Sequence, residues 1–220
     1  MSIFSYDSIL MRFLNFVADM VLLHFLWLLC SLPVITMGAS TTALYYTCMK
    51  RIRTKEGYIT RNFFHSFKMN LKQSTVIWLI LLIIGYLFYL DFQIASSVEG
   101  YMGKIMLGGC IIFLVPCLFI ALYIFPVQAK FKNSIKNNFK NAFLMSYRHF
   151  IMTMILLFIV GSIVILSFFF PPMIGLLLIC GGGLTGFLTS TIFIQVFRHY
   201  IPNEAEKDLE ISGEKFELNS

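Results

Sequence analysis

Five long apolar runs constrain this chain more than any other feature, because a helix crossing ~30 Å of hydrocarbon needs about 20 mostly apolar residues. They fall at about 15–37, 74–95, 105–127, 150–170 and 173–197 of the 220 residues. Composition agrees: 58% of residues are hydrophobic and 13% charged, against roughly 45–50% and about 25% in soluble domains. A soluble core of this size could not hide so much apolar surface. The expected fold class is therefore all-α: a polytopic membrane helix bundle with about five transmembrane helices and basic amphipathic cytoplasmic helices. Residues 1–202 read as a single transmembrane domain. Residues 203–220 read as a disordered acidic cytoplasmic tail, in which six carboxylates face only Lys207 and Lys215.

A cleavable signal would need a basic start and small residues before a cut. The first nineteen residues instead carry Asp7 and Asp19 against Arg12, and the apolar run continues without an A-x-A site. The first run is read as a retained helix.

Basic residues orient the stack. Fifteen of the 17 lie between runs one and two, between runs three and four, or after run five, and only Arg12 and Lys104 lie elsewhere. The positive-inside rule then puts these segments in the cytoplasm. With five crossings, the N-terminus is expected outside and the C-terminus in the cytoplasm.

The first run is not a plain span. Pro33 lacks an N–H and disfavours a helical residue before it, so a break is expected between Ser31 and Ala39. A second helix would restart with Ser40 or Thr41 as N-cap and run into the Lys50–Arg53 cluster. Between runs four and five, Pro171 and Pro172 predict a tight turn and an antiparallel hairpin.

Two basic stretches share an amphipathic pattern. In one, Phe131, Ile135, Phe139 and Phe143 form an apolar stripe beside Lys132, Lys136 and Lys140. In the other, Phe63, Phe67 and Leu71 lie beside Lys68 and Lys72. A shift of 68 residues superimposes them, which suggests a weak internal repeat, although basic amphipathic helices resemble one another by chance. These lysines suit anionic lipid headgroups, where each contributes about 1 kcal/mol, or a protein partner. Nucleic acid is not expected, since topology and lipid already account for the charge.

Motifs of phosphate loops, HExxH, GxSxG and EF-hands are absent from the sequence, and Cys30, Cys48, Cys110, Cys117 and Cys180 show no CxxC or metal-ligand spacing. No cofactor, no metal and no enzymatic activity are expected. Asp91 and Glu99 read as solvated charges flanking an external turn. Candidate polar or binding residues in the membrane are Asp19, His24, Thr36, Ser40 and Thr41, since intramembrane polar groups are costly and often functional. Each also has a structural reading: Asp19 at headgroup depth, His24 as a hydrogen-bonded interhelical histidine. Gly182 and Gly186 form a GxxxG spacing that favours close helix packing, within the chain or with another subunit.

Leu26 to Tyr46, LWLLCSLPVITMGASTTALYY, resembles the signature of the YesL family of bacterial membrane proteins, a family of unknown function. Arg61 to Thr75, RNFFHSFKMNLKQST, resembles its second block, and Lys140-Asn141-Ala142-Phe143 a shorter third one. The resemblance covers the chain apart from the acidic tail. It implies a Gram-positive source, a genomic setting beside carbohydrate-uptake ABC transporter components, and no assigned catalytic residue. The expected function is a non-enzymatic accessory membrane protein associated with carbohydrate ABC-type uptake or its regulation, with membrane lipids and importer permease subunits as partners. A small transporter or channel lined by Asp19 and the Pro33 break is the alternative, and a membrane enzyme acting on lipid or glycan is a third reading.

Overall fold

Pro33 ends the first helix where its missing N–H would be needed, and in the computed structural model α1 (Ile9–Ser31) stops two residues before it. The structure describes residues 9–54, 58–169, 174–175 and 177–201. The expected Pro171-Pro172 turn and the acidic tail lie outside them. A 3₁₀ turn at Val34–Thr36 follows α1, then α2 (Met37–Thr54), α3 (Ile59–Ser97), α4 (Tyr101–Lys130), α5 (Ile135–Arg148), α6 (Phe150–Phe169) and α7 (Gly182–Arg198), the last entered through a π-helical turn at Leu177–Gly181. Among the described residues there are seven α-helices and no strand, an all-α bundle. Five of the helices are long and apolar enough to cross a membrane: α1, α3, α4, α6 and the one ending at Arg198.

The break between α1 and α2 makes an antiparallel hairpin. Ser31 and Ser40 hydroxyls meet at 2.6 Å, the Trp27 indole N–H donates to Thr41 Oγ1 at 3.2 Å, and Arg51 reaches Asp19 at 2.8 Å. Contacts thus move up α1 as they move down α2. α2 returns alongside α1 and brings the basic cluster level with Asp19. One expectation needs correcting here. Ser40 and Thr41 do not cap α2, which begins at Met37; both hydroxyls lie one turn in and donate to the Met37 carbonyl at 3.0 and 2.7 Å.

Small residues let α2 sit at the centre. Gly38, Ala39, Ser40, Thr42 and Ala43 are all buried, and a Cβ on Gly38 would lie 2.6 Å from the Ser74 carbonyl oxygen of α3. Burying these hydroxyls costs little because they are hydrogen-bonded: Thr42 donates to Gly38 O at 2.9 Å, and Thr47 to Ala43 O at 2.8 Å. The turn itself is pinned by the Trp78 indole N–H, which donates to Val34 O at 2.7 Å.

At 39 residues α3 is about 58 Å long, nearly twice a bilayer core. The basic stretch with Phe63 and Phe67 and the run from Ser74 are therefore one continuous helix. The other basic stretch behaves differently. Phe131 and Lys132 lie in the connection after α4, α5 starts only at Ile135, and His149 separates α5 from α6. The two stretches are not structural copies, and the 68-residue shift describes a shared composition.

Aromatic edges hold the rest. Tyr123 of α4 and Tyr45 of α2 both pack edge-on against Phe193 of α7, with ring centroids 5.1 and 5.6 Å apart. Away from this core the surface is apolar: Ile112, Phe113 and Phe158 are each at least 70% exposed. Side chains of that kind belong in lipid.

Candidate functional site

A polar cavity forms where α2, the N-terminal half of α3 and the end of α4 converge, with a volume of about 670 Å³. Helical periodicity builds two of its walls. On α2, Tyr46, Met49, Lys50 and Arg53 recur at the three- and four-residue spacing of one face. On α3, His65, Ser66, Met69, Asn70 and Gln73 do the same. The third wall is Gln128 to Lys130 together with the connection that carries Phe131, Lys132 and Asn133.

A ladder of amides makes this wall rigid. Gln128 donates to Asn70 Oδ1 at 3.2 Å and accepts from the Asn138 side chain of α5. Gln73 donates to the Asn133 carbonyl at 2.6 Å and so ties the connection to α3. Asn138 is fully buried, and its Oδ1 has no hydrogen-bond partner among the described residues.

Charge gives the cavity its character. Lys50, Arg53, Lys130 and Lys132 line it, and none of its described lining residues is acidic. Lys50 also reaches Asn62 Oδ1 at 3.3 Å, and Arg53 Nε donates to the Met49 carbonyl at 3.1 Å. Among the described residues no group of His, Cys, Asp and Glu could hold a metal ion.

Most residues singled out from the sequence sit elsewhere. Asp19 accepts from Arg51, Nε to Oδ2 at 2.9 Å, with both side chains 18% exposed. His24 is buried, and its Nδ1 accepts the Gly182 backbone N–H at 2.9 Å, which fixes Nδ1 as the unprotonated nitrogen. The Thr36 hydroxyl lies within donating distance of the Cys30 and Pro33 carbonyls, at 2.7 and 2.9 Å, and shapes the turn. With Ser40 and Thr41 bonded inside the hairpin, these five residues hold α1, α2 and α7 together. Gly182 and Gly186 belong to the same assembly: a Cβ on Gly182 would lie 2.8 Å from His24 Nδ1, and one on Gly186 2.5 Å from Leu44. Gly183, between them, comes closer still, 2.1 Å from the Met20 carbonyl oxygen.

Of the candidate lysines, only Lys132 lines the cavity. Lys68, Lys72, Lys136 and Lys140 are exposed on other faces. Lys50, Arg53 and Lys130 were legible in the sequence only as topology signals, because the three segments that carry them meet solely through tertiary packing. Asp91, read as a loop charge, lies within α3 and lines a smaller apolar groove of about 350 Å³ with Cys110 and Cys117 of α4.

With this geometry in view, a family model described as "Protein of unknown function, DUF624" matches residues 20–92. That segment is the C-terminal half of α1, all of α2 and most of α3, and it supplies nine of the fifteen cavity-lining residues. No curated protein and no solved structure matches the chain. Over the hairpin and α3, then, this multi-pass membrane protein is similar to a membrane-protein family whose function is unknown.

Proposed function

We propose that the chain is a non-enzymatic accessory protein of a bacterial cytoplasmic membrane, associated with carbohydrate ABC-type uptake or its regulation and related to the YesL family. One observation carries this reading. The matched segment 20–92 contains both LWLLCSLPVITMGASTTALYY and RNFFHSFKMNLKQST, and these blocks fold into the α1–α2 hairpin and the cleft face of α3. The segment that the family model matches thus builds the hairpin and one face of the cationic cleft, where a shared task would reside.

The proposal includes an orientation. If α1 crosses outward, α2 returns, and α3, α4, α6 and α7 complete two further pairings, then both termini lie on the side where basic residues gather, the cytoplasm. An N-terminal reporter fusion that is active only in the cytoplasm is expected to be active, and activity of a periplasm- or surface-dependent reporter instead would reverse this orientation.

Affinity purification of the tagged protein from its own organism in mild detergent tests the functional reading. Importer permease subunits are expected in the eluate. Their absence, with the tagged protein itself recovered intact, would overturn the association. The transport reading gains nothing from Asp19, Ser40 and Thr41, whose polar atoms bond within the hairpin.

A further inference from the structure

Helix α5 is held at both ends by membrane spans. Only residues 131–134 separate it from α4, and His149 alone separates it from α6. Both neighbours are long and apolar enough to cross a membrane. The longer connection spans at most about 18 Å from Lys130 to Ile135, so α5 stays at the membrane surface where α4 ends and α6 begins.

The helix divides lengthwise. Asn138, Ala142, Met145 and Ser146 are buried. On the opposite side Phe143, Leu144 and Tyr147 are each at least 40% exposed, beside exposed Lys136 and Lys140. Rings connect this outer side to the flanking spans: Phe143 lies 4.7 Å from Tyr147, Tyr147 5.6 Å from Phe119 of α4, and Phe119 6.2 Å from Phe150 of α6. Tyr147, apolar in body and polar at its tip, is of the ring type that collects at headgroup level.

Charge selects the lipid. Lys136 and Lys140 stand one helical turn apart, about 6 Å, and neither makes a hydrogen bond or an ion pair among the described residues. No Asp or Glu occurs between Glu99 and Glu204, so α5 and its flanking spans bring no anion of their own. Lysines bordering an apolar face are the pattern of a helix that lies in an interface containing anionic lipid. The basic stretch of α3 is placed differently. It continues a span in one unbroken helix, so each residue from Lys72 back to Arg61 lies about 1.5 Å further along the axis from the apolar run, and its Phe63 is buried.

We infer that α5 lies in the headgroup layer and binds anionic phospholipid, with Lys136 and Lys140 on the phosphates and Phe143, Leu144 and Tyr147 against the glycerol and upper acyl chains. This surface is independent of the importer association above.

The test titrates the full chain, purified in detergent, with phosphatidylglycerol or phosphatidylcholine of the same acyl chains and counts retained lipid by native mass spectrometry. Saturable and tighter retention of phosphatidylglycerol is expected, weakened about tenfold or more by Lys136→Gln with Lys140→Gln. A charge-matched pair on α3, Arg61→Gln with Lys68→Gln, is expected to stay within about twofold of the parent, since charges away from the headgroups are screened. Lys140→Gln alone, at an exposed side chain, gives the same readout should the double variant fail to fold. Equal retention of the two lipids, or equal losses in the two pairs, would overturn the inference. So would a preference for phosphatidylglycerol that appears only after residues 203–220 are removed, since the acidic tail would then be the occupant of this face.

Discussion

The two halves of α3 are one helix governed by opposite rules. From Ile59 to Trp78 it buries Asn62, Ser66 and Ser74 beside Phe63 and Ile77, and exposes Arg61, His65, Lys68 and Lys72. From Leu79 onward only Ala95 is buried, while Ile83, Tyr86, Leu87 and Phe92 are exposed. The difference is the surroundings. In lipid, apolar side chains gain nothing by turning inward, so close packing by small and hydrogen-bonded polar residues decides what is buried. Where the helix leaves the hydrocarbon, charge returns to its surface. The same contrast separates the α1–α2–α7 assembly, dense with glycine and hydroxyl contacts, from the outer α3–α4 hairpin.

Glycine substitutions should break the comparison most sharply. Gly183→Ala places a methyl 2.1 Å from the Met20 carbonyl oxygen, against backbone that cannot step aside, and is expected to cost about 3 kcal/mol. Gly85→Ala and Gly108→Ala meet nothing within 4 Å and are expected to be neutral or to stabilise their helices by up to about 1 kcal/mol. Thermal unfolding in detergent measures both, and equal effects would deny that the two regions differ in packing.

Next in size is the Asp19–Arg51 pair. Asp19→Asn leaves Arg51 part-buried without its carboxylate and is expected to cost about 2 kcal/mol, whereas Asp19→Leu combined with Arg51→Met should recover most of that. A double-mutant cycle on the same unfolding transition separates the outcomes. A coupling energy near zero would mean the hairpin does not depend on this contact.

Smaller effects belong to the polar end. Ser134 caps α5 by accepting the Asn137 N–H at 3.4 Å, so Ser134→Ala should cost about 1 kcal/mol in the same melt. At the α5–α6 corner, burial lowers the His149 pKa below its ordinary 6.5, and the neighbouring His199 and Arg148 lower it further. Because the folded protein resists protonating His149, stability is full above the ordinary pKa and falls as pH drops through 6.5 toward the folded value. His149 accepts or donates to Tyr200 at 3.3 Å beyond α7, so this junction should loosen first. Melting temperatures between pH 7.5 and 5 should decline less in His149→Gln than in the parent.

Hydropathy made the five spans legible, since a run of about twenty apolar residues has few other uses. Pro33 marked the break for an equally local reason. The hairpin was harder to read. A helix restarting after the break was expected, but α2 is mixed in composition because protein surrounds it, so nothing local showed that it packs back along α1. His24 was visible as an intramembrane polar group, but its partner, the Gly182 N–H, lies 158 residues away. The cleft was least legible: its cations come from α2, from the end of α4 and from the following connection, and each looked locally like an orientation signal.

What the sequence determined alone is the solvent of each segment, because transfer free energies are additive along a run and need no knowledge of neighbours. Which segments touch was decided only by tertiary structure. Close approach at Gly38, Gly183 and Gly186 depends on the shape of two surfaces at once, and the salt bridge from Asp19 to Arg51 exists only because α2 folds back. Additive properties can be read along a chain, and pairwise ones only in the fold.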